Sequence, residues 1–287
     1  MRVIPSFEYY RATSLKEALK LLSTVEEPTV IAGGTDLIPA MRDGLEPRSI
    51  VDISGVEELK YVKRDDGYIK IGCLTTISTL ESSDMIQAYA YSLAEASRLM
   101  ASIQVRNKAT IGGNLCNASP AADTAPPLLT YDAEVVLASA SGSRIVKLNR
   151  FFEGPKKTCL KKGELLVEVR FKPAGSGVCF MKLGRRTSFT ISIVSVAAKV
   201  EVEGGRLKNV RIALGSVAPM PVRALRLEEY LEGKTPTPEN ISRAAKLVLE
   251  DISPITDVRS TAEYRKRVSQ VLVRDALMRA VKRVREE

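Results

Sequence analysis

Val30-Ile-Ala-Gly-Gly-Thr-Asp-Leu-Ile-Pro39 and Gln104-Val-Arg-Asn-Lys-Ala-Thr-Ile-Gly-Gly-Asn-Leu-Cys-Asn-Ala-Ser-Pro-Ala-Ala-Asp123 are the two stretches on which the reading of this chain turns. Each sets a Gly-Gly pair directly after an apolar run and before small polar residues. Glycine lacks a Cβ, so it reaches positive φ and lets a ligand come close to the backbone. Successive amides in such a turn form a concave nest for anionic oxygens. Two nests, flanked by the hydroxyls of Thr35 and Thr110 and the amide of Asn114, would suit a pyrophosphate. Taken singly, each pair also reads as a tight turn. Neither stretch carries the Lys-Ser/Thr of a P-loop or a G-x-G-x-x-G opening a helix. The residues by themselves stop at an anionic cofactor.

Composition narrows the chemistry further. The 287 residues hold 43 Lys+Arg against 34 Asp+Glu, no His and no Trp. Without His there is no Ser-His or Cys-His nucleophile pair and no His-ligated metal. The four cysteines, Cys73, Cys116, Cys159 and Cys179, form no CxxC pair, which argues against zinc, thioredoxin-type and iron–sulfur sites. Four scattered thiols predict a reduced, cytoplasmic protein. Met1 to Arg11 carries Glu8 and no apolar run, so it does not read as a signal peptide, and no stretch is long and apolar enough to span a membrane. The net charge of +9 is not matched by interleaved aromatics, which make up 5% of the chain, so a nucleic-acid partner is disfavoured.

Outward from the glycine stretches, Ser14 and Glu17 fit a capping box for a helix from Ser14 to Val25, followed by a β-branched run at Thr29 to Ile31. Asp84 to about Ala101 predicts a second helix capped by Ser83. Glu134–Ala140 with Arg144–Leu148, and Ser195–Glu203 with Leu207–Leu214 across Gly204-Gly205, predict strand pairs; Leu165–Lys172 predicts a further strand. Helices follow from Pro238 to Glu250, capped by Thr237, and from Ala262 to about Arg285 behind a Ser260-x-x-Glu263 box. On the last helix, Val268, Val271, Leu272 and Val281 read as a packing face and the basic residues as a face turned to solvent or a partner. The mixture lacks regular βαβα alternation, so the class is α+β. Composition shifts divide it into 1–57, 58–172 and 173–287.

Ala32-Gly-Gly-Thr-Asp36, Arg106-Asn-Lys-Ala-Thr-Ile-Gly-Gly-Asn-Leu115, Ala118-Ser-Pro-Ala-Ala-Asp123 and Phe180-Met-Lys-Leu-Gly-Arg-Arg186 with Ile193-Val-Ser-Val-Ala-Ala198 occur in an order and spacing that resemble one family over the whole chain. It is that of the FAD-binding medium subunits of molybdenum hydroxylases, such as aerobic carbon monoxide dehydrogenase and xanthine dehydrogenase. The resemblance implies a two-part FAD-binding module of the vanillyl-alcohol-oxidase (PCMH) type, followed by a smaller C-terminal α+β domain. It also implies FAD as cofactor, a large molybdopterin-binding subunit and a small 2Fe–2S subunit as partners, and a hetero-oligomer, with a dimer of heterotrimers as one arrangement. By motif position, Ala32, Gly33, Gly34, Thr35 and Asp36, together with Thr110, Ile111, Gly112, Gly113 and Asn114, contact the diphosphate and its surroundings, while Asp123, Leu166 and Lys182 contact flavin. No catalytic base and no metal ligand are implied.

For several of these residues the sequence leaves two readings open. Lys182, with Arg185 and Arg186 behind it, is a cation for the reduced flavin or a solvated basic stretch. Asp123 is a flavin contact or a helix N-cap. Asn114 is an αL turn residue or a ligand contact. Arg106 pairs with a diphosphate or anchors the loop to a carboxylate. Phe189 lies on the flavin ring or in the core. Relatives carry His or Ser at positions held here by Thr35, Asp36 or Asn117, and the charge of Asp36 opposes phosphate unless it points away or accepts backbone N–H bonds. Two other readings stand beside the subunit: a self-contained FAD oxidoreductase, disfavoured by the missing His, and a scaffold that has lost FAD, disfavoured by the intact glycine stretches.

Overall fold

In the first fifty residues the chain does alternate strand and helix. The computed structural model describes residues 5–186 and 189–286; the leader reading therefore lies partly outside the described residues, at Met1 to Ile4. Strands β1 (Glu8–Arg11), β2 (Pro28–Ile31) and β3 (Ser49–Asp52) form a parallel sheet in the order β1-β3-β2, with helices Leu15–Thr24 and Leu37–Arg42 as crossovers. The first helix is capped as predicted by Ser14, whose Oγ accepts from the Glu17 amide at 3.2 Å. Glu17 reaches back to the amide and hydroxyl of Thr13 rather than to Ser14, both at 2.8 Å, so the box closes one residue early. In a parallel unit the loops at the carboxyl ends of the strands are the ligand-facing ones. Gly33-Gly34 leaves the carboxyl end of β2.

The second sheet is antiparallel, in the order β4-β5-β10-β6-β7. Its members are β4 (Val62–Asp65), β5 (Tyr68–Gly72), β6 (Glu134–Ser139), β7 (Gly142–Lys147) and β10 (Leu165–Phe171). Strands β8 (Phe152–Gly154) and β9 (Lys157–Thr158) form a small ribbon on the excursion between β7 and β10. Arg144 on β7 staples that excursion, donating to Glu164 through Nε (2.7 Å) and Nη2 (2.8 Å) and to the Cys159 carbonyl. The guanidinium holds the Glu164 carboxyl down to about 2, from an ordinary 4.5. A carboxylate depressed in the folded state stabilises above its unfolded pKa and loses that contribution as pH falls through the folded value. Glu164→Gln should therefore flatten the fall in stability of the wild type between pH 4.5 and about 2, read as denaturation midpoints across that range; parallel curves would show that the pair does not contribute.

Six short helices lie between β5 and β6. The single helix expected from Asp84 to about Ala101 is instead two, Asp84–Tyr89 and Tyr91–Leu99, broken at Ala90 (φ −154°, ψ 46°). No glycine or proline marks the break. The first half buries only Ile86, whereas Ser92 to Ser97 are all buried in the second, where Ser92 and the Tyr131 hydroxyl share a hydrogen bond. Tertiary packing overrides the continuous local pattern.

The third sheet is an antiparallel meander of β11 (Val178–Leu183), β12 (Val194–Glu203), β13 (Arg206–Gly215) and β14 (Val222–Arg223). The predicted hairpin turns at Gly204 (φ 55°) and Gly205 (φ 74°), two positive-φ positions of the kind a type I′ turn requires. Helices Leu225–Leu231, Pro238–Leu247 and Ala262–Glu286 complete this part; the helix expected to run to Glu250 ends in a 3₁₀ turn at Val248–Glu250. The last helix is capped by Thr261, which accepts from the Tyr264 amide at 3.2 Å, and not by the Ser260 box. Val271, read as a packing residue, lies on its solvent face.

One apolar core spans the first two sheets and their helices, and a second begins at Cys179 and fills the C-terminal part. Between them runs a seam with ordered signs. Glu95, Asp123 and Asp132, all from the N-terminal part, are met by Arg283, Lys182, and Arg211 with Arg223.

Candidate cofactor site

The two glycine stretches meet. A Cβ on Gly33 would collide with the carbonyl oxygen of Lys108, so only glycine lets the first loop seat on the backbone that leads into the second. Gly34 takes φ 70° and its carbonyl accepts from Ile38, starting the helix Leu37–Arg42. The amides of Gly33, Gly34, Thr35 and Asp36 donate to no protein acceptor among the described residues. Asp36 is exposed and its carboxylate caps nothing, so its charge faces water rather than the amides.

The second pair is built differently from the nest expected of it. Gly112 and Gly113 lie in the first turn of a helix, Ile111–Cys116, with Thr110 as its cap. Its amides are already engaged: Ile111 donates to Thr75 O (3.0 Å), Gly112 to Cys73 O (2.9 Å), Gly113 to Thr110 Oγ1 (3.0 Å) and Asn114 to Thr110 O (2.9 Å). Gly112 is glycine because a Cβ would stand 2.7 Å from the Cys73 Cβ. Gly113 is exposed, with only its own cap, Thr110 Oγ1, near its outer face. Asn114 is helical rather than αL, and its Oδ1 accepts from Thr124 Oγ1 at 2.6 Å. Arg106 anchors the loop, donating to Glu81 (2.8 Å) and to the Met100 and Ala101 carbonyls.

Asp123 and Lys182, far apart in sequence, form an ion pair across the seam. Lys182 Nζ donates to Asp123 Oδ2 at 2.7 Å, with side chains only 5% and 7% exposed. Lys182 also donates to Thr190 O, and Ser192 Oγ donates to Asp123 Oδ1 at 2.6 Å. Burial pushes the Asp123 carboxyl above the usual carboxylate range, against the pull of the ammonium and the Ser192 hydroxyl. Asp123 is thus neither free nor an N-cap, since Thr124 holds that position in the helix Ala125–Thr130. Lys182 is not solvated. Leu166 is a buried side chain on β10, opposite Leu137. Phe189, offered as a core or ring residue, is 56% exposed. Sequence reasoning missed Ser192 and Thr124, whose only signal was being small and polar beside matched motifs.

Residues 5–173 match the family of FAD binding domains in molybdopterin dehydrogenase, and residues 179–280 match the CO dehydrogenase flavoprotein C-terminal domain. The glyceraldehyde dehydrogenase medium chain of Sulfolobus acidocaldarius is 36% identical over 274 residues, covering 95% of this chain and 97% of that one. A putative xanthine dehydrogenase FAD-binding subunit of Escherichia coli K12 is 33% identical, covering 95% of each. A solved carbon monoxide dehydrogenase from Hydrogenophaga pseudoflava, a form lacking the Mo-pyranopterin moiety of its cofactor, superposes with a TM-score of 0.94 at 33% identity, covering 98% of this chain and 99% of its own. An α+β flavoprotein, with an FAD-binding part and a C-terminal flavoprotein domain, is the class that fold and loops define. Within it, the chain belongs to the FAD-binding medium-subunit family of the molybdenum hydroxylases.

Proposed function

We propose that this chain is the electron-passing FAD subunit of a cytoplasmic molybdenum hydroxylase complex, working with a large molybdopterin-binding subunit and a small 2Fe–2S subunit. The observation that carries the site assignment is the seating of Gly33 on the backbone before Thr110, which sets the acceptor-free amides of Gly33 to Asp36 beside the helix that Thr110 caps. That donor set fits a diphosphate: neutral N–H groups of successive residues with no protein acceptor among the described residues. In this reading Ala32 to Asp36 hold the phosphates. Thr110 to Asn114 supply the wall beside them, through the bare face of Gly113 and the Asn114 side chain. Asp123 and Lys182 lie on the flavin side, and β10 at Leu166 backs the site. The three-part division at 57 and 172 belongs to the same proposal.

Bound FAD would supply the redox chemistry. The protein contributes position and charge. The Lys182 ammonium is a cation preorganised in a buried place, and Asp123 offsets it. Lys182→Met should therefore lower the flavin midpoint potential and Asp123→Asn should raise it. A change of about 30 mV corresponds to about 1.4 kcal/mol for a two-electron couple. Spectroelectrochemistry giving the same midpoint for both variants and the wild type would remove the pair from the flavin side. The whole reading is tested by isolating the native complex and identifying cofactors and companions together by mass spectrometry. Flavin, molybdenum and iron–sulfur subunits are expected; a colourless protein without companions would overturn it.

A further inference from the structure

The helix Ala262–Glu286 buries Arg265, Ser269, Val273, Ala276, Leu277, Ala280 and Val281 against the C-terminal core. On its other side Tyr264, Val271 and Met278 are 47%, 47% and 43% exposed. They recur every seven residues, and seven residues fall only about 20° short of two full turns, so the three line up in one stripe. At about 1.5 Å per residue the stripe is roughly 21 Å long. Arg267 and Arg274, each three residues beyond Tyr264 and Val271, are exposed and run along one flank of it, and the exposed Arg285 takes the stripe's next heptad position. Asp275, the acid nearest the stripe, is held by Arg274 at 2.8 Å. Arg267 and Arg285 have no carboxylate partner among the described residues. Apolar residues at heptad spacing beside a charged flank are what a second helix packs against.

We propose that this face docks an acidic amphipathic helix of a companion subunit, apolar residues on the stripe and carboxylates on the arginine flank. The proposal rests on the reading of the chain as one subunit of a larger enzyme. Charge chooses the occupant. A second copy would bring the same arginines to the same stripe, and the chain carries +9 overall, so self-pairing sets like charges together. An acidic partner neutralises the flank and covers the apolar side chains at once.

The test is co-expression of the full chain with the companion subunits of its source, followed by affinity isolation and native mass spectrometry. Val271→Glu/Met278→Glu should lower companion recovery at least tenfold, with circular dichroism, melting temperature and flavin content as in the wild type. Arg267→Glu/Arg274→Glu changes only exposed side chains, serves if the first variant fails to fold, and should weaken recovery and flatten its salt dependence. Wild-type recovery by a folded variant overturns the proposal. So does light scattering that shows the isolated wild type dimerising through this face, or sedimentation with phosphatidylserine vesicles that the variants abolish. A wild-type preparation that brings down no companion sinks the subunit reading itself, and this inference with it.

Discussion

Gly33→Ala is expected to cost the chain its flavin, on the order of a hundredfold in affinity, while the C-terminal sheet stays folded. The single added carbon would collide with the Lys108 carbonyl oxygen, a main-chain atom that cannot swing aside like a side-chain end. The first loop must then lift off the backbone leading to Thr110. Overpacking of this kind costs about 1–3 kcal/mol, which at about 1.4 kcal/mol per tenfold amounts to one or two decades of binding. Gly113→Ala is the control. Its Cβ would meet only Thr110 Oγ1, at 3.0 Å, on an exposed face, so the apoprotein should melt as the wild type does. Loss of flavin without loss of stability there would mark that face as one the cofactor approaches. Isothermal titration of FAD into the apoproteins decides the matter, and wild-type affinity in Gly33→Ala would refute the assignment of the first loop.

The second large effect belongs to Glu95. Its carboxylate, on the helix Tyr91–Leu99, accepts from Arg283 at 2.6 Å and from the Phe180 amide at 2.8 Å, joining the last helix and β11 to the N-terminal part. Glu95→Ala leaves the Arg283 charge and a buried amide unmatched. Breaking a buried pair from one side costs about 3–5 kcal/mol, whereas replacing both partners by apolar groups can be near neutral. Glu95→Ala should therefore shift the denaturant midpoint strongly, and Glu95→Leu/Arg283→Met should recover the part due to the unpaired charge, leaving the cost of the unmatched Phe180 amide. A single variant within about 0.5 kcal/mol of wild type, the range of a surface substitution, would show that the seam does not depend on this pair.

What the sequence disclosed follows the range of the physics involved. Glycine positions were legible because a missing Cβ is a local necessity: Gly204-Gly205 turns a hairpin, and Gly33 and Gly112 sit where a side chain would strike backbone or Cys73. The caps at Ser14 and Thr237 were legible for the same reason, each acting within three residues. The reasons behind the glycines were not. Gly112-Gly113 looked like a nest and is a helical turn, because the amides of Ile111 and Gly112 are taken by Thr75 and Cys73, more than thirty positions earlier, and that of Gly113 by its cap Thr110. Ala90 breaks a helix that its own residues would have continued. Asp123 waits for Lys182 and Ser192, 59 and 69 positions away, so no window around it could distinguish a cap from half of a buried pair. Val271 fits an apolar pattern whose register alone could not say which side faced water.

The Glu95–Arg283 contact joins residues 188 positions apart. While the polypeptide is being made, the carboxylate therefore emerges long before its counterpart exists. At about 5–20 residues per second, the N-terminal portion stands for roughly ten to forty seconds with that carboxylate unmatched. Assembly is thereby timed: the C-terminal half closes the joint only after the cofactor-holding half has had the chance to fold.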